Sequence, residues 1–324
     1  MADLILHHYP LSPYSEKVRA MLGYTNLHWY SVQTREMPPR PELAILAGGY
    51  RRIPVAQDGA DIFCDTRIIG REIAVRSGHP ELDVDQCDAA VQQAVARAEE
   101  VFFACVLSAG SLTLTRKALR TLSLLDLMRL VRDRMNMGKT ASVRMVSPKK
   151  APDMVKGWLA ELERELGRAP FLFGATPNVA DFAAYHGLWL IREGGKSFLR
   201  QYPKVMAWMD RIRAFGHGQV ETLSAEAALD RAKAATPGPL KRQTGPTPGS
   251  VSACALHRPT THRIPAKASS PAVRPGAGFW HGNTRASAPS TCISRVRVTG
   301  SRSSEAQRTT LLSVAPCDSH RWAR

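Results

Sequence analysis

The sequence predicts an α/β domain, then an all-helical domain, then a basic tail of low complexity. Two changes in character along the chain support this order. Up to residue 78 short apolar runs alternate with helical patterns, whereas from residue 84 every segment has helical spacing. After residue 235 the chain becomes basic and rich in Pro and Ser. We therefore expect domains at 1–78 and 84–235, followed by a disordered tail at 236–324.

The first domain opens with a pattern typical of a βαβ unit. Residues 4–8 are a continuous apolar run, which suits a strand in the middle of a sheet. Residues 14–23 have helical spacing and end on a glycine, and residues 27–33 are rich in β-forming residues. Since the second strand follows a helix, it is expected to run parallel to the first.

The rest of this domain is predicted to be a short helix, a hairpin and a final helix. The short helix lies within residues 38–49, and residues 53–65 form two strands around the turn at Asp58-Gly59. The final helix covers residues 66–76. The order βαβ, α, ββ, α is that of a thioredoxin-like domain.

The net charge of +16 comes mainly from the tail. Residues 237–324 hold 13 Lys or Arg against only Glu305 and Asp318, so they contribute +11. They contain only 12 Leu, Ile, Val and Phe in 88 residues, too few to form a core. Nucleic acid is therefore an unlikely partner except through this tail, which is either a basic disordered arm or a gene segment read out of frame.

Composition limits the other classes of function. No apolar run approaches the ~20 residues of a membrane helix, and no secretory signal precedes the first strand. The six cysteines lack the spacing of a metal site or a C-x-x-C pair. We expect a cytoplasmic protein without a metal.

Four segments resemble the soluble glutathione S-transferases, in order and at about that family's spacing. They are "SPYSEKVRAML" at 12–22, "YRRIPVAQDG" at 50–59, "CDTRIIGREI" at 64–73 and "FLFGATPNVADFAAYHGLWLI" at 171–191. The last contains Asn178 and Asp181, spaced as a helix capping box. The chain is most similar to bacterial members of the serine type, with Ser at both ends of an S-x-x-S motif.

The resemblance implies a glutathione site in the first domain. The Ile53–Pro54 peptide is expected to be cis, which leaves the backbone of Ile53 free to pair with the extended tripeptide. Asp65 and Thr66 begin a helix and would hold the γ-glutamyl end, although the same residues could be a plain helix cap. Arg52, with its neighbour Arg51, is a weaker candidate for the glycine carboxylate.

The thiol of glutathione would meet a hydroxyl at the start of the first helix. Ser12 occupies the family's position for this group, and a donated hydrogen bond with the helix dipole would lower the thiol pKa. Ser12 could instead be only a helix cap, and Tyr9 and Ser15 are competing candidates. His7 and His8 point to opposite faces of a strand and are interpreted as structural.

The resemblance implies a homodimeric detoxification enzyme that joins glutathione, its co-substrate, to a small hydrophobic electrophile. Conjugation, isomerisation and peroxide reduction stay open, whereas dithiol exchange is disfavoured because S-x-x-S has no cysteine. Tyr185 and residues 102–107 are candidates for the wall of the electrophile pocket. The alternative is a non-catalytic binding module of the same fold in a larger assembly.

Overall fold

A mixed β-sheet organises the N-terminal part of the chain. The computed structural model describes residues 4–110, 128–129, 132, 146–195, 197–238 and 296–297. The strands are β1 (Leu4–His8), β2 (His28–Gln33), β3 (Val55–Asp58), β4 (Asp61–Cys64), β5 (Gln219–Thr222) and β6 (Val296–Arg297). They lie in the order β5-β2-β1-β3-β4-β6, with β2 parallel and β3 antiparallel to β1. All five residues of β1 are buried, as predicted for a central strand.

Eight α-helices surround this sheet or follow it in the described residues. They are α1 (Pro13–Tyr24), α2 (Pro41–Leu46), α3 (Thr66–Ser77), α4 (Ala89–Ala109), α5 (Ala151–Glu165), α6 (Val179–Glu193), α7 (Pro203–Ala214) and α8 (Ala225–Ala234). Short 3-10 helices occupy Pro80–Leu82 and Ser197–Gln201. The sequence thus predicted the fold class correctly: a thioredoxin-like α/β domain precedes a helical domain.

Alternate side chains of a strand point to opposite faces of the sheet, so the core consists of one layer on each face. Leu4 and Leu6 of β1 belong to the large core that includes α1 and α3. Ile5, between them, packs on the opposite face with Val32 and with Ala228 of α8. The sheet is therefore covered on both sides, which explains why β1 is apolar without alternation.

Helix α6 is the centre of the helical domain, and 11 of its 15 residues are buried. Its N-terminus carries the predicted capping box: Asn178 accepts from the backbone N–H of Ala180, and Asp181 accepts from the N–H of Asn178. Asp181 also accepts from the N–H of Leu172 and the indole N–H of Trp208. One buried carboxylate therefore joins α6 to α7 and to the preceding loop.

The segment after α7 returns to the first domain. β5 pairs in parallel with β2, and α8 packs against α2 and β2. The return requires Gly23 at the end of α1, because a Cβ there would lie 2.1 Å from the backbone oxygen of Gly216. The sequence analysis had assigned residues up to 235 to the helical domain, and the domain limits stay a prediction.

Most of the predicted tail at 236–324 lies outside the described residues. Of its described part, the backbone N–H of Gly238 donates to Asp61, and β6 pairs antiparallel with β4. In the described residues no helix is both long and apolar enough for a bilayer crossing.

Candidate functional site

Three elements begin or end at the same edge of the sheet. β1 ends at His8, and the register pairs its His7 with Val55 of β3. Val55 in turn pairs with Cys64, the last residue of β4. The start of α1, the residues before β3 and the start of α3 therefore meet at one edge.

Ser12 is the N-cap of α1. Its Oγ accepts a hydrogen bond of 3.2 Å from the backbone N–H of Ser15, and Pro13 follows at the first helical position. Because Ser12 acts as an acceptor in this bond, its own hydroxyl proton is still free to be donated. The residue is only 2 % exposed.

The two competing hydroxyl residues differ in their surroundings. Ser15 is fully buried, and its Oγ has no hydrogen-bond partner in the described residues. Tyr9 is half-buried and directly follows β1. Which hydroxyl contacts the thiol, that of Ser12, Tyr9 or Ser15, stays a prediction.

Arg19 fixes the turn that carries Ser12. Its Nη1 and Nη2 donate to the backbone oxygens of Tyr9 and Pro10, at 3.3 and 3.0 Å. Its Nε and Nη2 donate to the carboxylate of Glu16, at 3.0 and 2.7 Å. Both Arg19 and Glu16 are 5 % exposed. The sequence analysis missed this pair, because only the folded turn brings the two carbonyls to the guanidinium.

The same network settles the state of His8. Burial, and next the charge of Arg19, lower the pKa of His8 to about 3. Its Nδ1 is 3.0 Å from Nη1 of Arg19, so Nδ1 accepts and Nε2 donates to Ser31 at 2.8 Å. His7 contacts Gln57 on the other face of the sheet, and burial lowers its pKa. Both histidines therefore have structural contacts, as the alternation of the strand predicts.

The residues before β3 form the second part of the site. The Ile53–Pro54 peptide bond is cis, and Pro54 is buried. Arg51 and Arg52 are exposed. The backbone oxygen of Arg51 accepts from Arg40, a buried side chain that also donates to two other loop carbonyls. Arg40, which no local signal marks, holds this loop beside the site.

The start of α3 forms the third part. Asp65 has a φ of 82°, a left-handed backbone conformation that is rare outside glycine. Its Oδ1 accepts from the backbone N–H of Arg67 at 2.9 Å, so it caps the helix. Thr66 is the first helical residue and is half-buried. Strained backbone of this kind concentrates at binding sites, which favours more than a capping role.

Tyr14 connects the site to the helical domain. Its hydroxyl donates to Glu99 of α4 at 2.9 Å, and Nζ of Lys17 lies 3.3 Å from the same carboxylate. Burial first, and then the charges of Glu99 and Asp65, raise the pKa of Tyr14, whereas the charge of Arg52 lowers it. The charges of Asp65 and Arg52 therefore reach Tyr14. Tyr14 lay inside the motif at 12–22, but its partner is 85 residues away.

A cavity of about 550 Å³ lies beside the turn between β1 and α1. Pro10 and Leu11 form one wall, and Tyr185, a predicted wall residue, forms part of another. Phe102, the first residue of the predicted wall segment 102–107, packs against Tyr14 and His186. In the part of the chain that the structure describes, no group of His, Cys, Asp and Glu could hold a metal ion.

Comparison with known proteins identifies the family. The N-terminal domain model of the glutathione S-transferases matches residues 6–81, and the C-terminal domain model matches residues 153–211. A GST-like protein from Pseudomonas syringae is 32% identical, over 76% of this chain and 79% of that one, with a TM-score of 0.55. The chain belongs to the glutathione S-transferase family, which supports a glutathione-related transferase function.

Other solved structures are more distant. FzlA from C. crescentus is 23% identical over 65% of this chain and 88% of that chain, with a TM-score of 0.44. Poplar glutathione transferase F1 is 18% identical over 72% of this chain and 100% of that chain, with a TM-score of 0.46. Among curated proteins, none matches the sequence.

Proposed function

We propose that this protein is a glutathione S-transferase that joins the thiolate of glutathione to a small hydrophobic electrophile. The observation that carries the proposal is the meeting of the α1 start, the residues before β3 and the α3 start at one edge of the sheet. This arrangement offers backbone groups for a peptide, a helix N-terminus for an anion and a hydroxyl for a thiol in one place.

Each end of glutathione has a proposed partner. The backbone of Ile53 pairs with the cysteine residue of the tripeptide, and Asp65 with Thr66 holds the γ-glutamyl group. Arg52 binds the glycine carboxylate from its exposed position. We also propose a homodimer in the cytoplasm, on the basis of the family alone.

Ser12 donates its hydroxyl proton to the thiolate. The capping bond from Ser15 uses a lone pair of the Ser12 oxygen, so donation to sulfur needs no rearrangement of that bond. The thiol first loses its proton to solvent, and the N-terminus of α1 with the Ser12 hydroxyl stabilises the resulting anion. With an aryl chloride, the sulfur–carbon bond forms, the carbon–chlorine bond breaks, and chloride leaves with the electron pair.

Replacement of Ser12 by alanine tests this role. One lost hydrogen bond to a charged group should lower kcat/KM for a generic aryl chloride by roughly 10- to 100-fold. Binding of glutathione should weaken less, and the pH-rate profile should shift upward as the pKa of the bound thiol returns toward its free value. Steady-state kinetics and calorimetric titration with glutathione measure these effects.

Ser224 offers a matched control. It caps α8 as Ser12 caps α1, with its side chain accepting from the backbone N–H of Ala227 at 3.1 Å. Ser224→Ala should lose ~1 kcal/mol of stability, as a cap does, with unchanged kcat/KM. If Ser12→Ala behaves like this control, the role passes to Tyr9, and Tyr9→Phe is tested next.

The burial of Ser12 favours one alternative. A side chain that is 2 % exposed and already caps a helix also fits a protein that binds glutathione without turnover, as a module in a larger assembly. Retention on immobilised glutathione without conjugation of an aryl chloride would establish the module instead of the enzyme.

A further inference from the structure

The cavity beside the β1–α1 turn combines an apolar wall with basic groups. Its apolar lining includes Pro10, Leu11, Trp189 and Ile212. The first two directly precede Ser12 in the chain, so the cavity reaches the turn that carries Ser12. An apolar molecule of drug size fits a volume of about 550 Å³.

Some charged residues of the lining form ion pairs within it, and others do not. Glu16 and Arg19 neutralise each other at 2.7 Å, and they are occupied with the turn. Arg192 and Arg213 come from the last turns of α6 and α7 and line the same cavity. Glu193 is the remaining acidic residue of the lining.

Arg192 has one guanidinium nitrogen without an acceptor in the described residues. Its Nη2 lies 2.6 Å from Asp210, but its Nη1 is buried and has no hydrogen-bond partner in the described residues. Arg213 forms no ion pair with the residues that the structure describes. A buried guanidinium N–H without an acceptor is unfavourable, and a rotation of the Arg192 side chain toward an anion in the cavity would supply that acceptor.

We infer that the cavity binds an aromatic carboxylate, with the ring against Trp189 and Leu11 and the carboxylate on Arg192 and Arg213. This inference rests on the proposed function in one respect, since it makes the bound molecule the electrophile. The substrate class is then an aryl or similar electrophile that carries an acidic group. Arg is suited to this task because its planar fork matches the two oxygens of a carboxylate.

A binding experiment without turnover tests this inference. Calorimetry should show that the protein binds 3,5-dinitrobenzoate at least ~10-fold more tightly than 3,5-dinitrobenzamide, the neutral analogue of the same shape. Arg192→Met should abolish this preference, and Arg192→Lys should retain part of it. Arg168→Met, an exposed arginine paired only with Glu165 in the described residues, should retain it fully. Equal affinities for acid and amide, or a preference that survives both Arg192→Met and Arg213→Met, would overturn the inference.

Turnover separates this inference from the proposed function. With 4-chloro-3,5-dinitrobenzoate, Arg192→Met should lower kcat/KM by roughly 10- to 100-fold, whereas the matching amide should change less than ~3-fold. In both reactions the thiolate sulfur bonds to the ring carbon, and chloride leaves with the electron pair. Turnover of the amide with no binding preference for the acid leaves the transferase function standing and overturns the anion site. A clear binding preference without turnover of either compound supports the anion site and contradicts the transferase function.

Discussion

Helix α1 has two polar sides that the protein treats differently. Toward the end of β1 and the turn after it, Arg19 and Glu16 form a buried network in which all three guanidinium nitrogens donate hydrogen bonds. Toward the helical domain, Tyr14 and Lys17 contact Glu99, and beside them lies His186, which is completely buried. Neither ring nitrogen of His186 has a hydrogen-bond partner in the described residues.

The Arg19 side of α1 is rigid, whereas the side toward the helical domain contains His186, which can take up a proton. A saturated network around an arginine keeps its charge at any ordinary pH, so it can hold the Ser12 turn in one shape. On the other side, burial decides the charge state of His186. Burial lowers the pKa of His186 to about 4, although the charge of Glu99 acts in the opposite direction. We therefore expect mutations on the two sides to differ in size and in pH dependence.

The largest effect should come from Arg19→Met. The substitution leaves the buried carboxylate of Glu16 without its main partner and frees the carbonyls of Tyr9 and Pro10. Removing one member of a buried ion pair costs about 3–5 kcal/mol, so urea unfolding at pH 7 should show a loss of this size. The looser turn should also lower kcat/KM.

A double variant sharpens this prediction. Arg19→Met combined with Glu16→Gln removes the stranded charge, so it should recover part of the lost stability without recovering kcat/KM. A single Arg19→Met variant as stable as the wild type would show that the network is not what holds the turn.

His186 should give the next largest effect, and only in acid. The folded protein takes up this proton near pH 4, whereas an unfolded histidine does so near 6.5. Protonation therefore favours the unfolded chain, and stability falls as the pH drops from 6.5 toward 4. The pKa difference of about 2.5 corresponds to about 3 kcal/mol.

A His186→Leu variant should flatten this part of the pH dependence. Unfolding by urea at pH 7 and pH 4.5 measures the difference. His28→Leu, at an exposed histidine that contacts Glu221, is the control for the loss of an imidazole outside the core. A His186→Leu variant with the wild-type slope between these pH values would contradict the burial argument. His7 and His8, also buried with lowered pKa values, account for the slope that stays.

Tyr14→Phe should have the smallest effect. Burial alone would raise the pKa of Glu99, but the charge of Lys17 and the hydrogen bond from Tyr14 help to lower it. Loss of one hydroxyl donor should cost ~1 to 2 kcal/mol at pH 7. Tyr24→Phe is a matched control at the other end of α1, where the hydroxyl donates to the part-exposed carboxylate of Glu81. Thermal unfolding should show a larger loss for Tyr14→Phe, and equal losses would contradict the buried role of this bond.

Much of the fold could be predicted because its signals are local. The apolar run of β1, the turn at Asp58-Gly59 and the capping box at Asn178 depend on residues within a few positions of each other. The order of these elements then indicated the thioredoxin-like domain. The return of β5 and α8 to the sheet was missed, since β5 is four exposed residues whose only strong signal is its pairing with β2.

In the candidate site, too, some features follow from local sequence and others only from the tertiary structure. The sequence by itself determined which residues stand at the starts of α1, β3 and α3, because caps, prolines and strand ends are written in neighbouring residues. Only the tertiary structure decided that Arg19 holds the Ser12 turn, that Glu99 reaches Tyr14 and that Arg192 is left with a buried, unpaired nitrogen. These contacts join residues brought together by packing, and their strength depends on burial, which no local pattern encodes.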